Sequence, residues 1–344
     1  MRIALDAMGG DHAPTEIVAG ALRAVRDGLV DADSLVLVGD EAVVKEEIAS
    51  QGGDPLEIVH AEEAIGMDEH PARALPAKRK YSILIGAKLL RDKHAGAFVS
   101  AGNTGAMVGA GTLVVKLLPG VRRPGIAATF AAEGGPVTLI DVGANIHCQP
   151  VDLYTYAEMA CAYRTGVDGL ERPRVGLLSI GAEDAKGGPL VQETRALLGK
   201  SKLNFIGNVE GQDVFSGRCD VVVCEGFVGN VVLKVSEGLG QFISTLLERE
   251  VRDHAGEADA SVWARIGKAL LARTDYAEYG GAPLLGVDGL FIICHGRSDR
   301  RAIANALRVS SQYLEANVNG RIVAELARRP ELPDEEVDPD AERS

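Results

Sequence analysis
The chain has 344 residues, 46% hydrophobic and 25% charged, the balance of an average soluble globular protein. A formal net charge of −13 excludes a general nucleic-acid binder, because phosphate backbones need a basic surface. An acidic chain can still hold an anion in a local cationic pocket. Aromatic residues are sparse at 4% and glycines number 41, so the core is expected to be aliphatic. That makeup suits parallel α/β architecture, where strands are covered on both faces.

In chain order, short β-branched runs alternate with longer segments of helical spacing. Strands are expected over residues 2–5, 34–38, 56–60, 96–100, 137–140, 174–179, 204–206, 220–224 and 289–294. Helical patterns occupy 16–26, 42–50, 151–164 and 190–198, and the apolar stretch 105–118 reads as a buried helix. Strand–helix alternation predicts βαβ units and a mainly parallel sheet. Residues 1–328 are expected to form a single α/β domain. Within it, 237–273 reads as an amphipathic helical hairpin around an acidic turn at 253–260. The acidic, proline-containing tail at 329–344 is expected to be disordered. No cationic-then-apolar leader opens the sequence, and no apolar run approaches the ~18 residues of a spanning helix. The expectation is a cytoplasmic protein.

The five cysteines, Cys148, Cys161, Cys219, Cys224 and Cys294, show no CxxC pair or zinc spacing and read as reduced thiols. Cys224 and Cys294, near strand ends, keep a minority reading as nucleophiles.

Polar residues collect after the strands. Asp6 precedes Gly9, Gly10, Asp11 and His12; Gly102, Asn103, Thr104 and Gly105 follow 96–100; Asp141, Gly143 and Asn145 follow 137–140. Glu183, Asp184, Lys186 and Gly187 follow 174–179, while Asn208 and Glu210 follow 204–206. Glu225, Gly226, Gly229 and Asn230 follow 220–224, and His295, Gly296 and Ser298 follow 289–294. Ligands of open parallel sheets bind beyond the carboxyl ends of strands, so the seven loops are expected to converge on one cleft. Ordinary turn chemistry accounts for any one loop alone.

The 102–105 loop enters a helix, where free N–H groups and the dipole favour an anion. GxxxxGK[ST] and a post-strand GxGxxG are absent, as are HExxH and the GxSxG elbow. Lys186, among glycines, is placed to counter phosphate charge, with a solvated surface lysine as the alternative. Lys234, one helical turn past Asn230, has the same two readings. Asp6, Asp141, Glu183 and Glu225 could bind a divalent metal, though no spacing demands one; for Asp141, capping and salt-bridge roles are preferred. His295, ending an apolar strand, is a stronger proton-transfer candidate than His12 in its tight turn.

These loops resemble the phosphate acyltransferases of bacterial phospholipid synthesis, the PlsX family. The matching blocks are ALDAMGGDHAP (4–14), SAGNTGA (100–106), LIDVGAN (139–145), VGLLSIGAEDAKG (175–187), NFIGNVEG (204–211), DVVVCEGFVGNVVLK (220–234), YAEYGGAPLLG (276–286) and HGRS (295–298). They keep family order to about residue 310. Ser179 and Ala182 depart from the Asn and acidic residues usual in the family, and Glu257 and Asp259 replace a basic apex in the hairpin.

The resemblance implies a three-layer α/β/α fold like the isocitrate and isopropylmalate dehydrogenases, a homodimer, and no organic cofactor. It implies transfer of an acyl group from acyl carrier protein to inorganic phosphate. The acyl phosphate would pass to a membrane glycerol-3-phosphate acyltransferase. On loop position and motif match, Asn103, Thr104, Gly105 and Lys186 are assigned to phosphate. Asn145, Asn208 and Asn230 are assigned to the thioester or its oxyanion, and His295 to proton relay. Asp6, His12, Glu183, Glu210, Lys234 and Ser298 complete the expected substrate contacts. Phe242, Leu246, Trp263 and Ile266 mark a face for core or dimer packing, acyl-chain contact or peripheral membrane contact. Competing readings are a phosphotransacetylase using short acyl-CoA, a hydroxyacid dehydrogenase and a non-catalytic membrane-associated scaffold.

Overall fold
A computed structural model describes residues 1–69, 80–254 and 280–329. Among these are eleven strands: β1 (Ile3–Asp6), β2 (Leu35–Gly39), β3 (Glu57–His60), β4 (Ala97–Ser100), β5 (Gly125–Phe130), β6 (Val137–Ile140), β7 (Arg174–Leu178), β8 (Asn204–Val209), β9 (Val221–Val223), β10 (Ala282–Leu285) and β11 (Leu290–Ile293). They join one sheet in the order β3-β2-β1-β4-β11-β10-β5-β6-β9-β7-β8. All nine expected strands are present. The two additional ones, β5 and β10, lie mid-sheet, and β10 carries Pro283, a residue that argues against a central strand.

Side chains leave the strands alternately and build a core on each face. Ile3 and Leu5 join the helices Thr15–Arg26, Pro150–Asp168 and Arg300–Glu315; Ala4 and Phe98 join the helices Ser82–Arg91 and Thr104–Ala110 on the other side. Burial of each Leu, Ile or Phe contributes about 1.5–3 kcal/mol, and covering both faces produces the three layers. Gly86 lets one helix lie on the sheet, since a Cβ there would come within 2.1 Å of Phe98 Cε2. The Pro150–Asp168 helix starts with a Gln149/Asp152 capping box and stops at Gly169, whose φ of 70° suits glycine. Its Arg164 is buried because Thr138 Oγ1 and the Asp220 carbonyl accept from its guanidinium, at 3.2 and 2.8 Å.

Strand sense corrects the single-edge expectation. β1, β2, β3, β4 and β11 run parallel, and β6, β7, β8 and β9 run parallel to one another. Three antiparallel pairings, β11/β10, β10/β5 and β5/β6, lie between these sets and reverse the second relative to the first. The seven polar loops therefore form two groups.

Three local expectations also change. The helix expected over 105–118 is α-helical over Thr104–Ala110 and continues as a π-helical turn, Gly111–Val115, with Leu113 61% exposed. The helix of the expected hairpin begins at Gly226, not 237, and runs to His254, so Gly229 and Asn230 are helical rather than loop residues. The rest of the hairpin, with Trp263 and Ile266, lies outside the described residues, as does the tail beyond Arg329. Arg329 itself is fixed: its guanidinium pairs with Glu158, donates to Thr155 Oγ1 at 2.7 Å, and lies 5.0 Å from the Tyr154 ring centroid.

Arg300 clamps Glu16 with its backbone N–H and guanidinium, tying the Arg300–Glu315 helix to the Thr15–Arg26 helix. The Arg300 bonds hold the Glu16 carboxyl down to about 2. A folded value below the ordinary 4.5 means this stabilisation is present above 4.5 and is lost as pH falls through about 2. Glu16→Gln is expected to flatten that acid-side loss, read as denaturation midpoints across the same window.

Candidate active site
The first group of loops follows β1, β4 and β11. Asp6 is buried; its Oδ2 accepts from Ser100 Oγ at 2.7 Å and its Oδ1 from the Met8 N–H at 3.2 Å. Burial pushes its carboxyl up, against the hydrogen bonds from Ser100 Oγ and the Met8 N–H. A Cβ on Gly9 would stand 2.5 Å from Asp6 Oδ2 and 2.8 Å from the Gly102 nitrogen, so the loops after β1 and β4 interlock only through glycine. The Asp11 N–H donates to the Gly296 carbonyl at 2.7 Å and joins the β11 loop. His12 lies exposed on this turn, and Ser298 is buried with an Oγ that has no hydrogen-bond partner among the described residues.

Asn103 is not available as a phosphate ligand in this arrangement. Its Nδ2 faces the carbonyls of Gly66, Met67 and Glu69 at 3.1–3.3 Å, and its Oδ1 caps the Ala106 N–H at 3.0 Å. It pins the 66–69 segment to the start of a helix. Thr104 and Gly105 remain exposed beside it.

The second group follows β6 and β9. The Asp141 carboxylate is fully buried and collects the N–H groups of Ile126, Gly143, Ala144 and Asn145 at 2.8–3.1 Å. Burial pushes its carboxyl up, while those four N–H groups favour the ionised form. The Asn145 Nδ2 faces the Pro124 carbonyl at 2.6 Å and Tyr156 Oη at 2.9 Å, so this amide is held from three elements. Glycines let the next helix approach: a Cβ on Gly229 would fall 1.8 Å from the Asp141 carbonyl oxygen, and one on Gly226 would fall 2.4 Å from that of Asn145. Glu225 caps this helix by accepting from the Phe227 and Val228 N–H groups. Asn230 is exposed over Gly143, and its side chain makes no hydrogen bond among the described residues.

At the same edge, β7 and β8 present Glu183, Lys186 and Asn208. Asn208 is buried; its Nδ2 donates to the Glu183 carbonyl at 3.0 Å and lies 3.5 Å from that of Lys186, holding the 183–186 turn from below. Its role in this arrangement is to position Lys186. Glu183 and Lys186 are exposed, and Lys186 has no ion pair among the described residues. Glu210 is spent in a capping box with Asp213.

The helix Gly226–His254 bridges the two groups. Asn230 stands at the Asp141 end. Lys234, one turn on, pairs with Glu237 at 2.9 Å and lies close enough to His295 to act on its charge. The His295 imidazole is pushed below its ordinary 6.5, first by burial and then by the Lys234 ammonium. Its Nδ1 accepts from the Arg297 N–H at 3.1 Å, which leaves the proton of the neutral ring on Nε2. Tyr156 and Ser100 escaped sequence reasoning because each acts through a partner distant in the chain, Asn145 Nδ2 and Asp6 Oδ2 respectively. Burial pushes up every cysteine thiol, Cys294 to about 12 and Cys224 well above 9.0, which removes the nucleophile reading of both. Among the described residues no group of three or more His, Cys, Asp or Glu side chains is arranged to hold a metal ion.

A phosphotransacetylase from Streptococcus pyogenes superposes with a TM-score of 0.61 at 16% identity, covering 92% of this chain and 94% of that one. A 4-hydroxythreonine-4-phosphate dehydrogenase from Klebsiella pneumoniae gives 0.52 at 13% identity, covering 90% and 98%. At such identities the likeness defines the α/β fold. A family profile described as "Fatty acid synthesis protein" matches residues 1–321. The proteins named phosphate acyltransferase from Nitratidesulfovibrio vulgaris strain DP4 and Moorella thermoacetica are 45% and 43% identical to this chain. Those alignments cover 96% and 98% of both partners. The chain belongs to this fatty acid synthesis family of phosphate acyltransferases, and it is an enzyme of the acyltransferase class.

Proposed function
We propose that the enzyme transfers a fatty acyl group from acyl carrier protein to inorganic phosphate, releasing the free carrier and an acyl phosphate for phospholipid synthesis. A phosphate oxygen attacks the thioester carbonyl; the C–S bond breaks and the carrier thiolate leaves, without a covalent enzyme intermediate. Phosphate dianion is nucleophilic at neutral pH and a thiolate is a good leaving group, so positioning supplies much of the rate, about 7–11 kcal/mol in favourable cases. Lys186 holds phosphate, Asn230 faces the developing oxyanion, and His295 relays protons; Asn145, expected at the oxyanion, has its Nδ2 spent on the Pro124 carbonyl and Tyr156 Oη and instead fixes the turn beneath Asn230. The observation that supports this most is an uncommitted lysine in the loop after β7 and an uncommitted amide in the first turns of the helix after β9, the neighbouring strand at one sheet edge. Thiol release from an acyl-carrier thioester, dependent on phosphate and accompanied by acyl phosphate, tests the reading. A preference for short acyl-CoA would replace it with the phosphotransacetylase alternative, and no turnover with either thioester would favour a scaffold.

His295 is expected to set the acid limb of kcat/KM below pH 6.5. Replacing Lys234 by Met removes the neighbouring positive charge and leaves Glu237 uncompensated. Both changes raise the imidazole value, so the limb moves to higher pH. A limb that stays in place in Lys234→Met would remove His295 from the relay.

The product would pass to a membrane glycerol-3-phosphate acyltransferase, and the bridging helix offers the surface for that meeting. Val231, Val235, Leu239, Phe242 and Leu246 lie exposed along it, each at least 41% accessible. No helix among the described residues is long and apolar enough to cross a membrane, so the proposed contact is peripheral. Phe242→Glu is expected to reduce flotation with anionic vesicles; unchanged flotation would assign the stripe to packing in a homodimer.

A further inference from the structure
A second concave site lies on the far side of β7 and β8 from the Lys186 turn. It is a cavity of about 350 Å³ at the amino ends of these strands, within the roughly 300–1,000 Å³ of small-molecule sites. Cys161, Ala162, Pro173 and Leu203 supply apolar surface. Arg172, Lys202, Arg321 and Arg328 bring positive charge from three separate stretches of chain.

The charge is poorly compensated. Glu171 and Glu325 are the carboxylates on the wall, and Glu325 lies 3.7 Å from Arg328. Arg172 and Lys202 have no ion pair among the described residues, and Arg321 spends its Nε on the Ala316 carbonyl at 3.0 Å. Four cations against two carboxylates leave two positive charges in a chain whose formal net charge is −13. Like charges gathered in a cavity repel unless an anion joins them. Guanidinium groups favour phosphate oxygens, and a phosphate monoester carries about −1.5 to −2 at pH 7, which matches the excess. Inorganic phosphate would use the cations and leave the apolar surface idle.

We propose that this cavity binds a phosphate monoester carrying a small apolar body, at a place separate from the acyl-transfer site. Arg172, Lys202 and Arg321 grip the phosphate, and the body rests on Ala162, Pro173 and Leu203. Binding weakens below about pH 6 as the phosphate gains its second proton.

Calorimetric titration of the full chain with phenyl phosphate tests the assignment. Wild type and Lys186→Ala are expected to bind it saturably with equal affinity. Arg172→Glu/Lys202→Glu, at two exposed loop positions, is expected to lose at least tenfold. Arg321→Ala serves as a second variant with a smaller charge change and the same direction. Affinity unchanged in both cavity variants, or abolished by Lys186→Ala, would overturn the site. Inorganic phosphate binding there as tightly as phenyl phosphate would overturn the monoester assignment.

Discussion

Asp141→Ala is expected to be among the most damaging single substitutions in the chain, costing about 3–5 kcal/mol of stability, as for breaking a buried hydrogen-bonded charge network. The carboxylate is the common acceptor for N–H groups from β5 and from three successive residues of the 143–145 turn. Alanine leaves all four donors buried without a partner, each at about 1–3 kcal/mol before relaxation. The effect reaches the site directly, since the 143–145 turn orients Asn145 and underlies Asn230. Asp141→Asn should fall between, because one acceptor oxygen survives while its new NH₂ faces a donor. Denaturant unfolding and acyl-phosphate formation measured on both variants check the ordering; wild-type stability in Asp141→Ala would refute it.

Lys186→Ala carries the largest expected effect on turnover with no comparable effect on folding. The side chain is exposed and unpaired among the described residues, so removing it disturbs no packing. A charged hydrogen bond to phosphate contributes about 1.5–3 kcal/mol, or roughly 10- to 150-fold. The loss should fall on KM for phosphate, leaving KM for the acyl thioester and the melting temperature near wild type. Lys186→Arg tests geometry, since it keeps the charge on a longer, planar head. Unchanged phosphate saturation in Lys186→Ala would remove the assignment and leave Asn230 without a cationic partner.

The strands were legible wherever β-branched residues ran together between turn residues. The two strands that escaped sequence reading lack that signal: β5 is Gly- and Ala-rich and β10 contains Pro283. Their absence had a consequence beyond two elements. Direction in a sheet is relational, and the reversal between β11 and β6 passes through these two strands. Without them the polar loops could only be imagined on one edge. Asn103 illustrates a second limit. An Asn after a strand and before a helix looks the same whether it holds a ligand or caps, and its three carbonyl partners at 66–69 lie more than thirty residues away. Asp141 was legible as a backbone acceptor because its partners are mostly local, though it gathers a turn and a β5 N–H rather than capping a helix. Glu16 with Arg300, and Asn145 with Tyr156, were not, because folding alone brings those partners together.

The burial of four cysteines, with Cys148 half-buried, has a practical meaning for life in changing redox conditions. With every thiol held above its ordinary value, the thiolate population at neutral pH is vanishingly small. Peroxide and disulfide exchange both act on thiolate, so the chain offers them little purchase while folded. Sensitivity to oxidants is then expected to rise on unfolding, when the two cores open and the thiols return to their ordinary range.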